Sequence, residues 1–278
     1  LRFFLDPQQS HQVVGFLNWE VLPFDGLSPP VESTSERIAT LALLSAAMPV
    51  VCVTTVQALT QRLISPQRLA QLTFKLVVGE ELDRDTLVRR LDHLGYRRAS
   101  LCEERGQLAV RGAVVDFFPP SSVNPVRVEL FGDVVDSIRT YDAGSQRTFS
   151  DQPQPDQTKL ELLNILPVVE FVFSEAERPP LVNRFKARAR DLELPERILA
   201  PYLEALQEHS PFPGLEQLLP LTEPEPNTLF DYLRHDATIV IRDELAVQHA
   251  AEDFDQLVRE RAERALADGM FFPEAAAA

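Results

Sequence analysis

The clearest alternation of apolar and polar positions runs from Val126 to Phe131. A strand sends successive side chains to opposite faces, so Val126, Val128 and Leu130 make a core face while Arg127, Glu129 and Phe131 share the other. Gly132 and Asp133 supply turn chemistry, and Val134 to Tyr141 returns as the partner strand. Val135 and Ile138 stand three apart, which calls for a bulge or one exposed valine. Upstream, Leu108 to Phe118 is rich in β formers but interrupted by Arg111 and Gly112. A glycine within a strand marks a bulge or a close backbone approach, and the side that Arg111 takes stays open. Pro119 and Pro120 end that strand, because proline cannot donate to the ladder. Gln107 to Tyr141 is therefore expected to be a compact β unit.

The pattern around this unit alternates between strand and helix periods. Leu1 to Leu5 and Val13 to Trp19 read as strands and Pro23 to Pro30 as a loop. Ser33 and Glu36 form a capping box ahead of a helical pattern at Ile38, Leu41, Ala42 and Ser45, stopped by Pro49. Val50 to Thr54 reads as a fully buried strand. Helical pattern returns from Gln57 to Leu63, Phe74 to Val78 is extended, and Asp83 caps a helix carrying Leu87, Leu91 and Leu94, with Gly95 as its stop. This succession predicts an α/β domain with a parallel sheet, interrupted by the β unit.

Beyond Tyr141, the polar residues from Ala143 to Gln157 predict a loop. Leu160 to Phe173, with Pro167 inside it, predicts strand, turn and strand. A second capping box, Ser174 with Glu177, opens a helix to Arg190. Pro195 to Glu208 puts Ile198, Leu199, Tyr202, Leu203 and Leu206 on one stripe. The five prolines between Pro211 and Pro226 predict a loop-rich connection. A short helix follows at Leu229 to Leu233, then a buried strand at Thr238 to Ile241. Ala246 to Asp268 predicts a long helix on Ala250, Phe254, Leu257, Val258 and Ala262, ended by Gly269. The α/β body thus resumes after the insertion.

The chain has 278 residues, 45% hydrophobic, enough for a core and for two or more domains. Its net charge of −15 disfavours a protein that coats duplex nucleic acid, although local basic patches stay possible. Cys52 and Cys102 form no CxxC pair and have no histidine at ligand spacing, which argues against a disulfide framework and a zinc site. His11, His93, His209, His235 and His249 are scattered. No apolar run approaches the roughly 18 residues of a membrane span, and no signal peptide opens the chain, so the expectation is a cytoplasmic protein without a membrane partner. The start at Leu1 and the closing run Ala275 to Ala278 read as marks of a fragment.

Catalytic motifs are missing. A phosphate-binding loop requires glycine directly before its lysine, and none of the three lysines, Lys75, Lys159 and Lys186, has one. Ile239 to Glu244, IVIRDE, resembles the end of a Walker B strand. Without the phosphate loop it is read as a buried strand ending in a helix cap at Asp243. No carboxylate pair stands out by spacing, and serine or cysteine nucleophile signatures are absent. The expectation is a non-enzymatic chain without cofactor or metal. Two readings of the Arg127, Glu129, Phe131 face stay open on the residues alone: incidental exposure, which is common, or an anchor, since interface hot spots favour aromatics and arginine.

The strings AVRGAVVDFFPP (Ala109 to Pro120), PVRVELFGDVVDSIRTYD (Pro125 to Asp142) and SQRT (Ser145 to Thr148) resemble domain 2 of the bacterial transcription-repair coupling factors (the Mfd family) and of their relative UvrB, a damage-verification helicase. NWEVLPFDGLSP (Asn18 to Pro29), SERIATL (Ser35 to Leu41) and VTTVQAL (Val53 to Leu59) are similar to the coupling factors' amino-terminal region rather than UvrB's.

The resemblance implies a UvrB-like module of three parts. Domain 1A, a degenerate P-loop-type parallel-sheet domain, would cover residues 1–95 and 227–278. Domain 2, the antiparallel β-rich insertion that binds UvrA, would cover 96–160, and the mainly helical domain 1B would cover 161–226. It further implies a non-catalytic adaptor that recruits UvrA in nucleotide excision repair. Motor, RNA polymerase and DNA contacts would belong to parts of the full-length protein outside this chain. The family's UvrA-contacting residues match Arg111, Arg127 and Phe131, with Glu129 as a weaker candidate that orients an arginine. Arg139 is either a neighbour of the site or a plain surface residue. The alternative is a fragment of a UvrB-type ATP-dependent helicase, which nucleotide binding would reveal.

Overall fold

The computed structural model describes residues 13–22, 24–148, 159–208, 210–222, 225 and 227–268. The expected strand at Leu1 to Leu5, most of the loop before Gln157 and the helix stop at Gly269 lie outside the described residues. The chain is mixed α/β with parallel and antiparallel sheets. Its contacts divide it into two compact units, one of Leu1–Ser33, Thr40–Pro66 and Phe173–Ala278, the other of Thr34–Ala39 and Gln67–Val172.

In the first unit β1 (Val13–Phe16) pairs in parallel with β2 (Val51–Thr54); helix α1 (Val31–Ser45) lies between them in the chain, and its residues Thr34–Ala39 belong to the second unit. The helix begins two residues before the expected capping box, directly after Pro30, and no side chain caps it. Ser33 is therefore helical, and its hydroxyl donates to Glu20 at 2.6 Å instead of capping. The helix also ends before Pro49: Ala47 takes φ 54° and the Met48 N–H reaches back to the Leu43 carbonyl, a left-handed C-terminal turn.

β2 is not the buried strand its composition predicts, since β1 is its one strand neighbour among the described residues and Val51 and Val53 are exposed. The helical pattern from Gln57 resolves into one turn, α2 (Val56–Leu59), whose N-terminus is capped by the Thr55 hydroxyl.

Later in this unit come α5 (Arg178–Asp191) and α6 (Glu196–Glu208). Glu177 accepts from the Ser174 backbone N–H at 2.7 Å as a capping box would. The helix nonetheless starts only at Arg178, because Pro179 and Pro180 suit a first turn. The proline-rich connection holds a 3₁₀ turn (Leu215–Leu218) and one turn of helix, α7 (Leu219–Thr222), and the short helix expected at Leu229 to Leu233 is a 3₁₀ turn at Leu229–Tyr232. Helix α8 (Glu244–Ala267) follows, with the Asp243 carboxylate accepting from the Ala246 N–H. The expected buried strand at Thr238 to Ile241 is not formed: Val240 is 85% exposed and the segment pairs with no strand among the described residues.

The second unit contains most of α3 (Pro66–Leu72), a helix the hydrophobic pattern does not announce. β3 (Phe74–Val77) pairs antiparallel with β9 (Leu162–Ile165), so the parallel sheet expected to continue through this region stops at β1 and β2. Among the described residues no second strand follows β9; instead Val168, Phe171 and Val172 are buried. Helix α4 (Arg84–His93) is capped by Asp83, which accepts from the Thr86 N–H at 3.0 Å; hydrogen bonds from Thr86 hold the Asp83 carboxyl below the usual carboxylate range.

The main sheet runs β4 (Arg97–Arg98), β5 (Gln107–Arg111), β6 (Val114–Phe117), β7 (Val126–Phe131), β8 (Val134–Thr140). Every pairing but the short parallel β4–β5 one is antiparallel. Leu108 to Phe118 is not one bulged strand but a hairpin, with Gly112 at φ 59° in its two-residue turn. The β7–β8 hairpin turns at Gly132 and carries the expected bulge: Glu129 pairs with Ser137 but Leu130 with Val135. Both Val135 and Ile138 can therefore be buried. The core face is Leu108, Val115, Phe117, Val126, Val128, Leu130, Val135 and Ile138.

Candidate functional site

Strand pairing places the residues opposite this core face in rows. Across β5 to β8 one row reads Ala109, Asp116, Arg127, Arg139 and the next reads Arg111, Val114, Glu129, Ser137. Phe131 with Val134 forms a further row. Because Val114 pairs with Glu129, the turns of both hairpins lie at the same end of the sheet. The structure thus brings Arg111, Arg127, Glu129 and Phe131 onto one face and resolves the side that Arg111 takes.

Phe131 is 82% exposed at the tip of the β7–β8 hairpin. Arg127 is different: its side chain is only 16% exposed. Its Nε and Nη2 donate to the two carboxylate oxygens of Asp116 at 2.8 and 2.9 Å, a bidentate fork. Its guanidinium lies over the Tyr141 ring, 4.6 Å from the centroid. The hydrogen bonds and charge of Asp116 raise the Arg127 pKa further, so this cation is permanent. Burial raises the Tyr141 phenol, whose hydroxyl donates to the Cys102 carbonyl at 3.0 Å. A neutral ring therefore backs the cation. Arg111 approaches the same carboxylate, Nη2 to Oδ2 at 2.6 Å, with its side chain 47% exposed.

Asp116, 1% exposed, is the residue that sequence reasoning missed. The signal was present in AVVDF, where Val115 and Phe117 face the core and Asp116 must point to the arginine face. Glu129 accepts from the Ser137 hydroxyl at 3.0 Å and acts on Arg127 through its charge, while Asp116 is the carboxylate that binds the arginines directly. Arg139 stands directly opposite Arg127 in the strand pairing.

Chemically the face offers guanidinium donors held by a buried carboxylate and a solvated aromatic ring. That equipment suits non-covalent recognition. Among the described residues no group of three histidine, cysteine or acidic side chains is placed to hold a metal, and no helix is long and apolar enough to cross a membrane. Cys102 is buried and its thiol is pushed up to about 12, mainly by burial.

Residues 74–170, which contain this sheet, match the family model described as the UvrB interaction domain. The chain is also similar to transcription-repair-coupling factors. The protein of Myxococcus xanthus is 34% identical over 91% of this chain and 21% of its own length. That of Haemophilus influenzae is 32% identical over 96% and 22%, and that of Escherichia coli 31% identical over 90% and 21%. The chain spans about a fifth of the length of these relatives.

Proposed function

We propose that this chain, which is similar to the transcription-repair-coupling factors over about a fifth of their length, is a non-catalytic adaptor that recruits UvrA to stalled RNA polymerase for nucleotide excision repair. One observation carries this reading. Within the UvrB interaction domain an aromatic ring, Phe131, stands 82% exposed on the same sheet face as Arg111 and Arg127. Aromatic and arginine side chains dominate binding energy at protein interfaces, and a phenylalanine so exposed on a hairpin tip contributes little to its own fold.

Roles can be divided among the four residues. Phe131 is the apolar anchor and Arg111 the partly exposed donor. Arg127 acts chiefly by holding Asp116, which in turn holds Arg111, so that the donor is presented in one orientation before the partner arrives. Glu129 is a polar neighbour at the rim. In the module proposed here, residues 96–160 form the UvrA-binding domain 2, 1–95 and 227–278 form domain 1A, and 161–226 form domain 1B. A motor elsewhere in the full-length protein would displace RNA polymerase along DNA while this module engages UvrA. UvrB would then compete for the same partner surface.

Titration of this chain with purified UvrA tests the proposal. Phe131→Ala and Arg111→Ala are each expected to weaken binding by about 1–3 kcal/mol while the circular dichroism spectrum is retained. Unchanged affinity in both folded variants would reject the face. Saturable ATP binding by this chain would instead favour the UvrB-type helicase reading.

A further inference from the structure

The row that carries Asp116 and Arg127 does not end at β8. Asp116 pairs with Arg127, Arg127 with Arg139, and Arg139 with Lys159 through an isolated antiparallel bridge. Directly paired residues of antiparallel strands share a face, so Arg127, Arg139 and Lys159 stand side by side on the face that also carries Arg111. Neighbouring strands are about 4.8 Å apart, which puts the backbone positions of these three cations within about 10 Å of one another.

This row is short of carboxylate. Both oxygens of Asp116 are taken by Arg127 and Arg111. Glu129, in the next row, accepts from the Ser137 hydroxyl and lies diagonal to Arg139 rather than opposite it. Among the described residues neither Arg139 nor Lys159 forms an ion pair, and the Arg139 Nε is buried with no hydrogen-bond partner. Four cations, Arg111, Arg127, Arg139 and Lys159, thus share the face with two carboxylates that are already engaged, in a chain whose overall charge is −15. Like charges directly opposite one another weaken a strand pair, and a buried donor left without an acceptor adds to the cost. The sheet carries both at Arg139, and neither helps its own fold.

We infer that Arg139, with Arg127 and Lys159 on either side, receives the carboxylate of an aspartate or glutamate from the protein that engages Phe131 and Arg111. This deepens the proposed function and rests on it. The occupant follows from the local surplus of positive charge and from continuity with the proposed interface, since Arg139 lies on the same side of the same sheet as Phe131. A guanidinium offers five N–H donors, and among the described residues Arg139 gives none of them to an acceptor. A duplex fits less well, because Glu129 and the Phe131 ring occupy the next rows of the face, where a run of phosphates would meet a carboxylate and a phenyl group.

The test measures UvrA affinity and urea unfolding for the wild-type chain, Arg139→Gln, Lys159→Gln and Phe131→Ala. Arg139→Gln is expected to weaken binding about tenfold and Lys159→Gln about twofold to fivefold. The urea midpoint of Arg139→Gln stays level or rises, because the opposition to Arg127 is removed. Arg139→Lys keeps the charge without the planar fork and should bind between the wild type and Arg139→Gln. If Phe131→Ala weakens binding but Arg139→Gln binds like the wild type, the carboxylate seat is overturned and the adaptor reading stands. If none of the variants changes binding, both fail. A loss of affinity in Arg139→Gln matched by a lowered urea midpoint would overturn the inference by making Arg139 a structural residue. Binding of duplex DNA that is lost on Arg139→Gln would overturn it too, by assigning the row to phosphates.

Discussion

Asp116 is buried with both carboxylate oxygens engaged by Arg111 and Arg127, so its removal is expected to be felt twice. Removing one partner of a fully buried ion pair costs about 3–5 kcal/mol. Here Arg111 is half solvated, and Asp116→Ala is expected to lose about 1–3 kcal/mol in urea unfolding. It should also weaken UvrA binding although Asp116 is itself inaccessible, since Arg111 loses the group that aims it. An unchanged unfolding midpoint would show that the pair does not hold the sheet face. The sharing of one face by Arg127 and Phe131 was legible in strand alternation alone. The side of Arg111 was not, because a glycine in a β-forming run is compatible with either a bulge or a turn.

Glycines separate the elements on which that face depends, and two of them differ in what surrounds them. Gly95 ends α4 at φ 90°, and a Cβ there would meet Val169 Cγ2 at 2.7 Å. Gly112 turns the β5–β6 hairpin at φ 59°, with nothing within 4 Å of such a Cβ. Gly112→Ala therefore carries only backbone strain, about 1 kcal/mol, whereas Gly95→Ala adds a side-chain collision and is expected to cost about 2–4 kcal/mol. Equal unfolding midpoints for the two variants would contradict this. Element positions were largely readable, α4 with its Asp83 cap best of all, because cap, stripe and glycine stop agree. Burial was less so. Val50 to Thr54 and Thr238 to Ile241 have the composition of buried strands, yet Val51, Val53, Ile239, Val240 and Ile241 are exposed. An apolar run states what a segment can bury, not whether a neighbour is there to cover it.

Across the second unit the decisive long-range link is Arg37 to Glu170, Nε to Oε1 at 2.5 Å, joining α1 to the segment after β9 with both side chains out of solvent. Arg37→Ala is expected to destabilise the chain by about 3–5 kcal/mol. Arg37→Met combined with Glu170→Leu should lose less than that single change, because no charge is left in the interior; a double variant worse than Arg37→Ala would refute the argument. Neither residue drew notice in the sequence, for they lie far apart and each sits in an ordinary amphipathic context.

What the sequence determined by itself was local: strand alternation, the helix caps at Asp83 and Asp243, the missing phosphate loop and the strings that resemble the coupling factors, all set by residues within a few positions of one another. Only the tertiary structure decided which strands pair beyond the β7–β8 hairpin, that β3 joins β9 antiparallel, that Asp116 gathers two arginines, and which apolar runs stay exposed. Those outcomes depend on partners distant along the chain, and side-chain periodicity carries no information about which distant segment supplies them.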